Sequence, residues 1–421
     1  MPSPGAQRPR GTLWAGSLRF RNPFVQHPRA ALRFLTLVIA MAAASVACAK
    51  PFVPATDDVV LEQLPLAAND PTARRLASLR AGLTQAPGDL TRATTLAREY
   101  VAIGRASGDP RYAGYAQAAL APWWKLDRPP VDVLMLRATL RQRQHDFPAA
   151  LRDVGTVLAA TPLDAQAHLM RATILTVQGD FATAAKACAV LEIAASELLW
   201  SACADGVGAM TGRLPESYRH LAAVLERNPK ADPPTRVWVL TALAEMAERA
   251  GLAAAAERHF RDALRIEPDD VYLLAAYADF LLDQGRAGEV TPLLRNRTRA
   301  DTLLLRAGLA AAATRSADAA DTLEQLRSRF AASRLRGDRV HLREEARFTL
   351  ELLGDAQAAL GLALDNWAVQ KEPGDALVLL QAAVGANDLA ATQNMTDWVR
   401  HAGLQDARIE KILRKAHPRP V

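Results

Sequence analysis

Few residues in this chain could do covalent or metal chemistry, and they are scattered. It holds 3 cysteines and 8 histidines in 421 residues. No glycine-rich loop ends in Lys-Ser or Lys-Thr, and no GxSxG, HExxH or CxxC motif occurs. His341 stands at helical spacing from Glu344 and Glu345, a set that could offer metal ligands. A single histidine among carboxylates reads instead as a solvated charged face. His168 takes a packing position in the pattern described below. Asp57-Asp58 and Asp269-Asp270 precede helical stretches, where a carboxylate caps free backbone N–H groups. Asn296-Arg297-Thr298 and Asn394-Met395-Thr396 match a glycosylation acceptor no better than chance allows. No catalytic set, cofactor site or metal site is expected, and binding is the chemistry to look for.

The first 49 residues differ from the rest. Six of the 51 basic residues lie there with no acid, so the remainder holds 45 of each sign. The pI of about 9.4 therefore belongs to the leader, and nucleic-acid binding loses its main support. After the basic stretch comes the apolar run Phe34–Met41, then small residues ending Ala47-Cys48-Ala49 before Lys50. A basic region, a short apolar run and an A-x-A site predict a secretory signal peptide over 1–49, cleaved between Ala49 and Lys50. The run is too short for a membrane span. Lipidation of Cys48 is the rival, but Ser45 stands where such signals carry a bulky aliphatic residue. Either route places the chain outside the cytoplasm, in the periplasm or, if lipidated, at the outer membrane.

The elements that must position any site come from internal periodicity. Arg-Ala-Thr recurs at 137–139 and 171–173, Asp-Phe at 146–147 and 180–181, and Ala150 and Ala184 keep the same offset. A third copy carries Gly251, Ala256, Phe260, Ala263 and Pro268, and a fourth Ala278, Gly285 and Leu294. Each unit reads as a helix, a Gly- or Asp-containing turn, and a second helix with alanine near its start. A proline often ends the second helix, because it cannot continue the hydrogen-bond ladder. One hairpin cannot bury both apolar faces, so units must stack, each touching its neighbours.

These residues resemble the tetratricopeptide repeats. The fit is good at Ala138, Phe147, Ala150 and Pro162, at Ala172, Gly179, Phe181 and Ala184, and at Gly251 through Pro268. The family's early Trp is replaced by Leu134, His168 and Leu240, and a usual Leu by Arg137 and Arg171. Those arginines are expected to lay their stems on the core and turn their heads outward. The reading is an all-α, right-handed solenoid of stacked antiparallel hairpins. After the signal, 50–93 hold an extended segment and a leading helix opened by Asp70-Pro71. Repeats span 94–304, and degenerate repeats with a capping helix span 305–421. Residues 331–340 are expected as a flexible loop. In repeat phase Cys188 and Cys203 fall on neighbouring helices, which suggests a disulfide in an oxidising compartment; two buried thiols are the alternative.

The resemblance implies a non-enzymatic scaffold that holds a protein or peptide segment in its concave groove. A lipid-anchored assembly factor and an enzyme with an unrecognised site are the other two readings. First-helix positions of the family's groove fall on Met135, Thr139, Arg143, Leu169, Thr173 and Val177. They continue at Ala202, Gly206, Met210, Trp238, Thr241, Glu245, Tyr272 and Asp279. The set contains one arginine and no lysine, so the cationic clamp for a chain-terminal carboxylate is absent. A mostly apolar or mixed segment is the expected ligand. Trp238 and Tyr272 could serve as its anchors, or simply pack between helices.

Overall fold

The computed structural model describes residues 70–416. The expected leader, its cleavage point at Ala49-Lys50 and Cys48 lie outside these residues. All regular structure among the described residues is helical. A leading helix α1 (Pro71–Gln85) packs on the first of the nine antiparallel hairpins among these residues. The first is α2 (Leu90–Ser107) with α3 (Arg111–Ala119), trailed by the short α4 (Ala121–Trp124). Next come α5 (Val131–Arg143) with α6 (Phe147–Ala160), and α7 (Ala165–Gln178) with α8 (Phe181–Ala194). Then follow α9 (Glu197–Gly208) with α10 (Leu214–Arg227), and α11 (Pro233–Arg249) with α12 (Ala253–Ile266). The later hairpins are α13 (Val271–Asp283) with α14 (Ala287–Leu293), and α15 (Asp301–Thr314) with α16 (Ala319–Leu335). Last are α17 (Leu342–Glu351) with α18 (Ala356–Trp367), α19 (Pro373–Gly385) with α20 (Leu389–Ala402), and the final helix α21 (Ala407–Ala416).

Local chemistry sets these boundaries. The Asp70 carboxylate accepts from the Thr72 and Ala73 amides at the start of α1, and Asp164, Asp180, Asp232 and Asp388 cap later helices in the same way. Gly179 ends α7 at φ 82°, a left-handed conformation that costs glycine little. Alanine at the hairpin contact lets paired helices approach closely: Ala138, Ala150, Ala172, Ala184, Ala244 and Ala256 are all buried. One apolar cluster runs from Leu198 to Ala310, and another joins Ala346 through Ile409. Cys188 of α8 and Cys203 of α9 are disulfide-bonded, buried among Ala172, Ala184, Leu191 and Val207.

Three expectations are corrected. Arg137 does not turn its head to solvent. It is 6% exposed and gives two hydrogen bonds to Asp153 of the facing helix, at 2.7 and 2.9 Å, and one to the Trp124 carbonyl. Asp153 is buried too and accepts a third guanidinium bond from Arg141, so the pair lies within a satisfied network. The His341 region is not a solvated face, since Glu344 and Glu345 are buried, paired with Arg306 and Arg343 and with Arg334. The expected loop at 331–340 is helical as far as Leu335, because Phe330 and Ser333 are buried and Arg334 is held by Glu345.

Units also touch beyond their neighbours. Hairpin turns of the early repeats lie against helix starts of the late ones. A side chain at Gly108 would meet Val271 and Ala300, and one at Gly179 would meet Lys371. The Lys371 amide donates to the Val177 carbonyl at 2.7 Å, and the Leu214 amide to Gln405 Oε1 at 3.0 Å across 191 residues. Gly212 faces Gly403, and Gly251 faces Ala407. Successive superhelical turns thus meet edge to edge along a seam.

This seam makes a prediction. Gly403 has φ 74°, and a Cβ there would stand 3.2 Å from the Gly212 nitrogen. Gly403→Ala should destabilise the protein by about 1–3 kcal/mol in chemical denaturation. Hydrogen exchange should rise at 211–214 as well as at 403–407. A rise at 403–407 alone would mean the two turns are energetically independent.

Candidate functional site

The first helix of each hairpin presents one face inward, and helical spacing puts Trp238, Thr241, Glu245 and Glu248 of α11 on it. On α13 the same face carries Tyr272, Asp279 and Asp283. Tyr272 is 59% exposed, and its hydroxyl donates to Glu245 Oε1 at 2.6 Å. Glu245, ahead of Glu372, pushes the Tyr272 phenol well above its ordinary range, so it remains a donor. Beside it Arg343 of α17 donates to Glu372 at 2.9 Å and to Asp375 at 3.4 Å. Burial and Glu372 raise the Asp375 carboxyl to about 7 against the pull of Arg343. Tyr272 therefore stands, open to water, among charges supplied by three separate hairpins.

Deeper along this face, Asp279 accepts from Arg306 at 2.6 and 3.0 Å and from Arg347 at 2.6 Å. Burial raises its carboxyl, but the two guanidiniums override that and hold it far below the usual carboxylate range. Arg408 of α21 spans three carboxylates: Asp406 at 2.7 Å, Asp283 at 3.2 Å and Glu248 at 3.3 Å. Burial lifts the Glu248 carboxyl to about 8; Arg408 opposes the lift, and Asp283, Asp279 and Asp406 add to it. Glu248 Oε1 is buried with no partner.

The groove positions named from the repeat pattern divide in two. Met135, Ala202, Met210 and Thr241 are buried and offer nothing to a ligand in this structure. Met210 packs in the C-terminal core with Ala346, Leu379 and Ile409, and its sulfur accepts from Arg249 at 3.6 Å. Trp238, Leu169 and Val177 are half-buried against core clusters, and Thr139 and Asp279 are also half-buried. Thr173, Arg143 and Tyr272 are exposed, and space beside Gly206 is open. Arg143 donates to the Gly104 carbonyl at 3.2 Å, with no carboxylate bridged to it among the described residues. The groove is consequently more charged than apolar. Sequence reasoning missed Glu248, Asp283, Arg343, Arg347, Glu372 and Arg408. The i,i+4 pair Arg343 and Arg347 was visible, but the weak repeat pattern beyond 305 hid its phase.

Elsewhere a cleft of about 390 Å³ opens between α10, α11 and α12, lined by Tyr218, Arg236, Arg258 and His259. Tyr218 Oη and His259 Nε2 are 3.1 Å apart. Among the described residues no three His, Cys, Asp or Glu side chains form a cation cage, and no helix is long and apolar enough to cross a membrane.

Residues 212–338 match the family model described as tetratricopeptide repeat. No curated protein matches the chain. Among solved structures, the chain is similar to a tetratricopeptide repeat protein from Parabacteroides merdae at 17% identity, covering 61% of this chain and 86% of that one, TM-score 0.29. It is also similar to the APC/C hetero-tetramer Cut9–Hcn1 at 12% identity, covering 81% of this chain and 86% of that one, TM-score 0.38. A third is yeast Tom70 at 9% identity, covering 82% and 89%, TM-score 0.25.

The inner carboxyls make stability pH-dependent. Glu248 holds its proton up to about pH 8 when folded and loses it near 4.5 when unfolded. Its contribution is whole below 4.5 and is lost as pH rises through 8. The slope is at most about 1.4 kcal/mol per pH unit for one proton. Glu248→Gln should flatten the decline in urea-denaturation stability between those limits. An unchanged slope would show that Glu248 is ionised in the folded protein.

Proposed function

We propose that this tetratricopeptide-repeat protein is an exported interaction scaffold that holds an extended protein segment against its inner face. Repeats of this kind build binding surfaces from many hairpins, and protein partners are their general ligands. The observation that carries the reading is the exposed Tyr272, set among Glu245, Arg343 and Glu372. An aromatic ring that is open on one side and hydrogen-bonded on the other suits an interface anchor. The surrounding charges of both signs favour a mixed polar segment over a purely apolar one. Thr173, Arg143 and the open space at Gly206 extend the same surface.

The cell-envelope location rests on the basic leader with its A-x-A site, and the Cys188–Cys203 disulfide is in keeping with an oxidising compartment. Lipid attachment at Cys48 is the second reading, favoured by the small residues before it.

Peptides selected from a random library displayed on phage test the binding surface. Tyr272→Ala combined with Thr173→Glu should weaken the selected peptides by roughly tenfold or more, since interface anchors of this kind contribute about 2 kcal/mol. Far-ultraviolet circular dichroism should be unchanged. Equal affinity with intact helicity would move the binding surface elsewhere, the Tyr218–His259 cleft first. For the location, N-terminal sequencing of exported protein should begin at Lys50. A lipid-bearing Cys48 at the terminus would establish the anchored form.

A further inference from the structure

The inner face uses one side of α11, and helical spacing puts Arg236, Leu240 and Leu243 on the opposite side. There they line the cleft of about 390 Å³ between α10, α11 and α12. The second helices α10 and α12 wall it, bridged by the Tyr218–His259 hydrogen bond at 3.1 Å. Leu225, Leu240 and Leu243, all buried, make an apolar floor. At Pro229 the cleft adjoins a second hollow of about 590 Å³, which continues past Lys230 to Ser196. The two form one furrow on the side of α11 away from the inner face.

The charges along this furrow are unbalanced among the described residues. Arg258 and Lys230 are exposed and have no partner, and Arg236 gives one hydrogen bond, to the Asn228 carbonyl at 3.3 Å. Of the carboxylates, Asp262 accepts from Arg265, Asp232 caps the Thr235 amide, and Glu226 alone is unengaged. Other cations nearby are paired, Arg227 with Glu197 and Arg286 with Glu257. Burial, then Arg258, hold the His259 imidazole below its ordinary range against the pull of Asp262, so it stays neutral and supplies no counter-ion problem of its own. A cleft with a low-dielectric floor concentrates the field of cations at its mouth and draws anions more strongly than an open surface does.

We propose that this furrow is a second docking surface, separate from the inner face, and that it takes an acidic segment of a partner protein, with an apolar side chain on the leucine floor and carboxylates at Arg236, Arg258 and Lys230. The proposal does not rest on the reading of the inner face. Occupied together with the inner face, the furrow joins two partners through one chain.

The test uses the full chain and a short fluorescein-labelled peptide of alternating glutamate and leucine, with a twin carrying glutamine in place of glutamate. Binding is read by fluorescence anisotropy, and folding by circular dichroism. The acidic peptide should bind at least roughly tenfold more tightly than its twin. Arg236→Glu with Arg258→Glu should weaken it roughly tenfold or more, because like charges then face each other across the contact. Ala222→Phe, which fills the cleft above the floor, should weaken it to a similar degree. Arg152→Glu with Lys186→Glu makes the same change of net charge at exposed cations of α6 and α8, and should alter affinity by no more than about twofold.

Equal loss in that control pair would reduce the binding to diffuse charge and overturn the furrow as a site. No binding of the acidic peptide would overturn it too. Loss with Tyr272→Ala and Thr173→Glu, but not with the cleft variants, would place the peptide on the inner face. Failure of the inner-face prediction leaves these outcomes unchanged, so the two readings fall separately. If Arg236→Glu does not fold, the exposed Arg258→Glu alone and Ala222→Phe still decide the matter.

Discussion

An antiparallel pair of helices with apolar residues on both sides cannot bury them alone. Every other feature of this protein follows from that. The pair must sit against another pair, and the alanines at the contact make the approach close enough for the stack to persist through the nine hairpins of the described residues. Closeness has a second effect. Each small rotation between neighbours adds to the last, so hairpins far apart in sequence return to one another and their edges meet.

That return changes the environment of charged residues. Inner-face positions that would face water in a shorter array are surrounded by later repeats. Asp279 shows the consequence: it belongs to α13 but is neutralised from α15 and α17 together. Glu248 shows the opposite outcome: burial lifts its carboxyl, Asp283, Asp279 and Asp406 add to the lift, and Arg408 does not overcome them. The two groups have similar chemistry and lie on the same inner surface. The number of cations that the fold delivers separates them, and it keeps one ionised and the other protonated.

Tyr272 gains its character in the same way. By itself it is an aromatic residue near the start of a helix. Its neighbours Glu245, Arg343 and Glu372 come from α11, α17 and the residue before α19, and together they make an anchoring point out of an exposed ring. The binding surface is therefore a property of the superhelix more than of any one repeat.

The sequence alone was sufficient for whatever depends on short spacing. The Arg-Ala-Thr and Asp-Phe repeats, the turns at Gly179 and Gly251, the cap at Asp70, the buried Ala150 and Ala184 and the adjacency of Cys188 and Cys203 all follow from hairpin geometry. Only the tertiary structure decided which distant turns touch, and with them the burial of Met210, the three carboxylates around Arg408 and the charges around Tyr272. It also decided that Arg137 turns inward to Asp153, because the partner stands on a facing helix whose rotation no local pattern records. Periodicity reports what each residue does within its own hairpin. The accumulated twist over several hairpins decides what it meets beyond it.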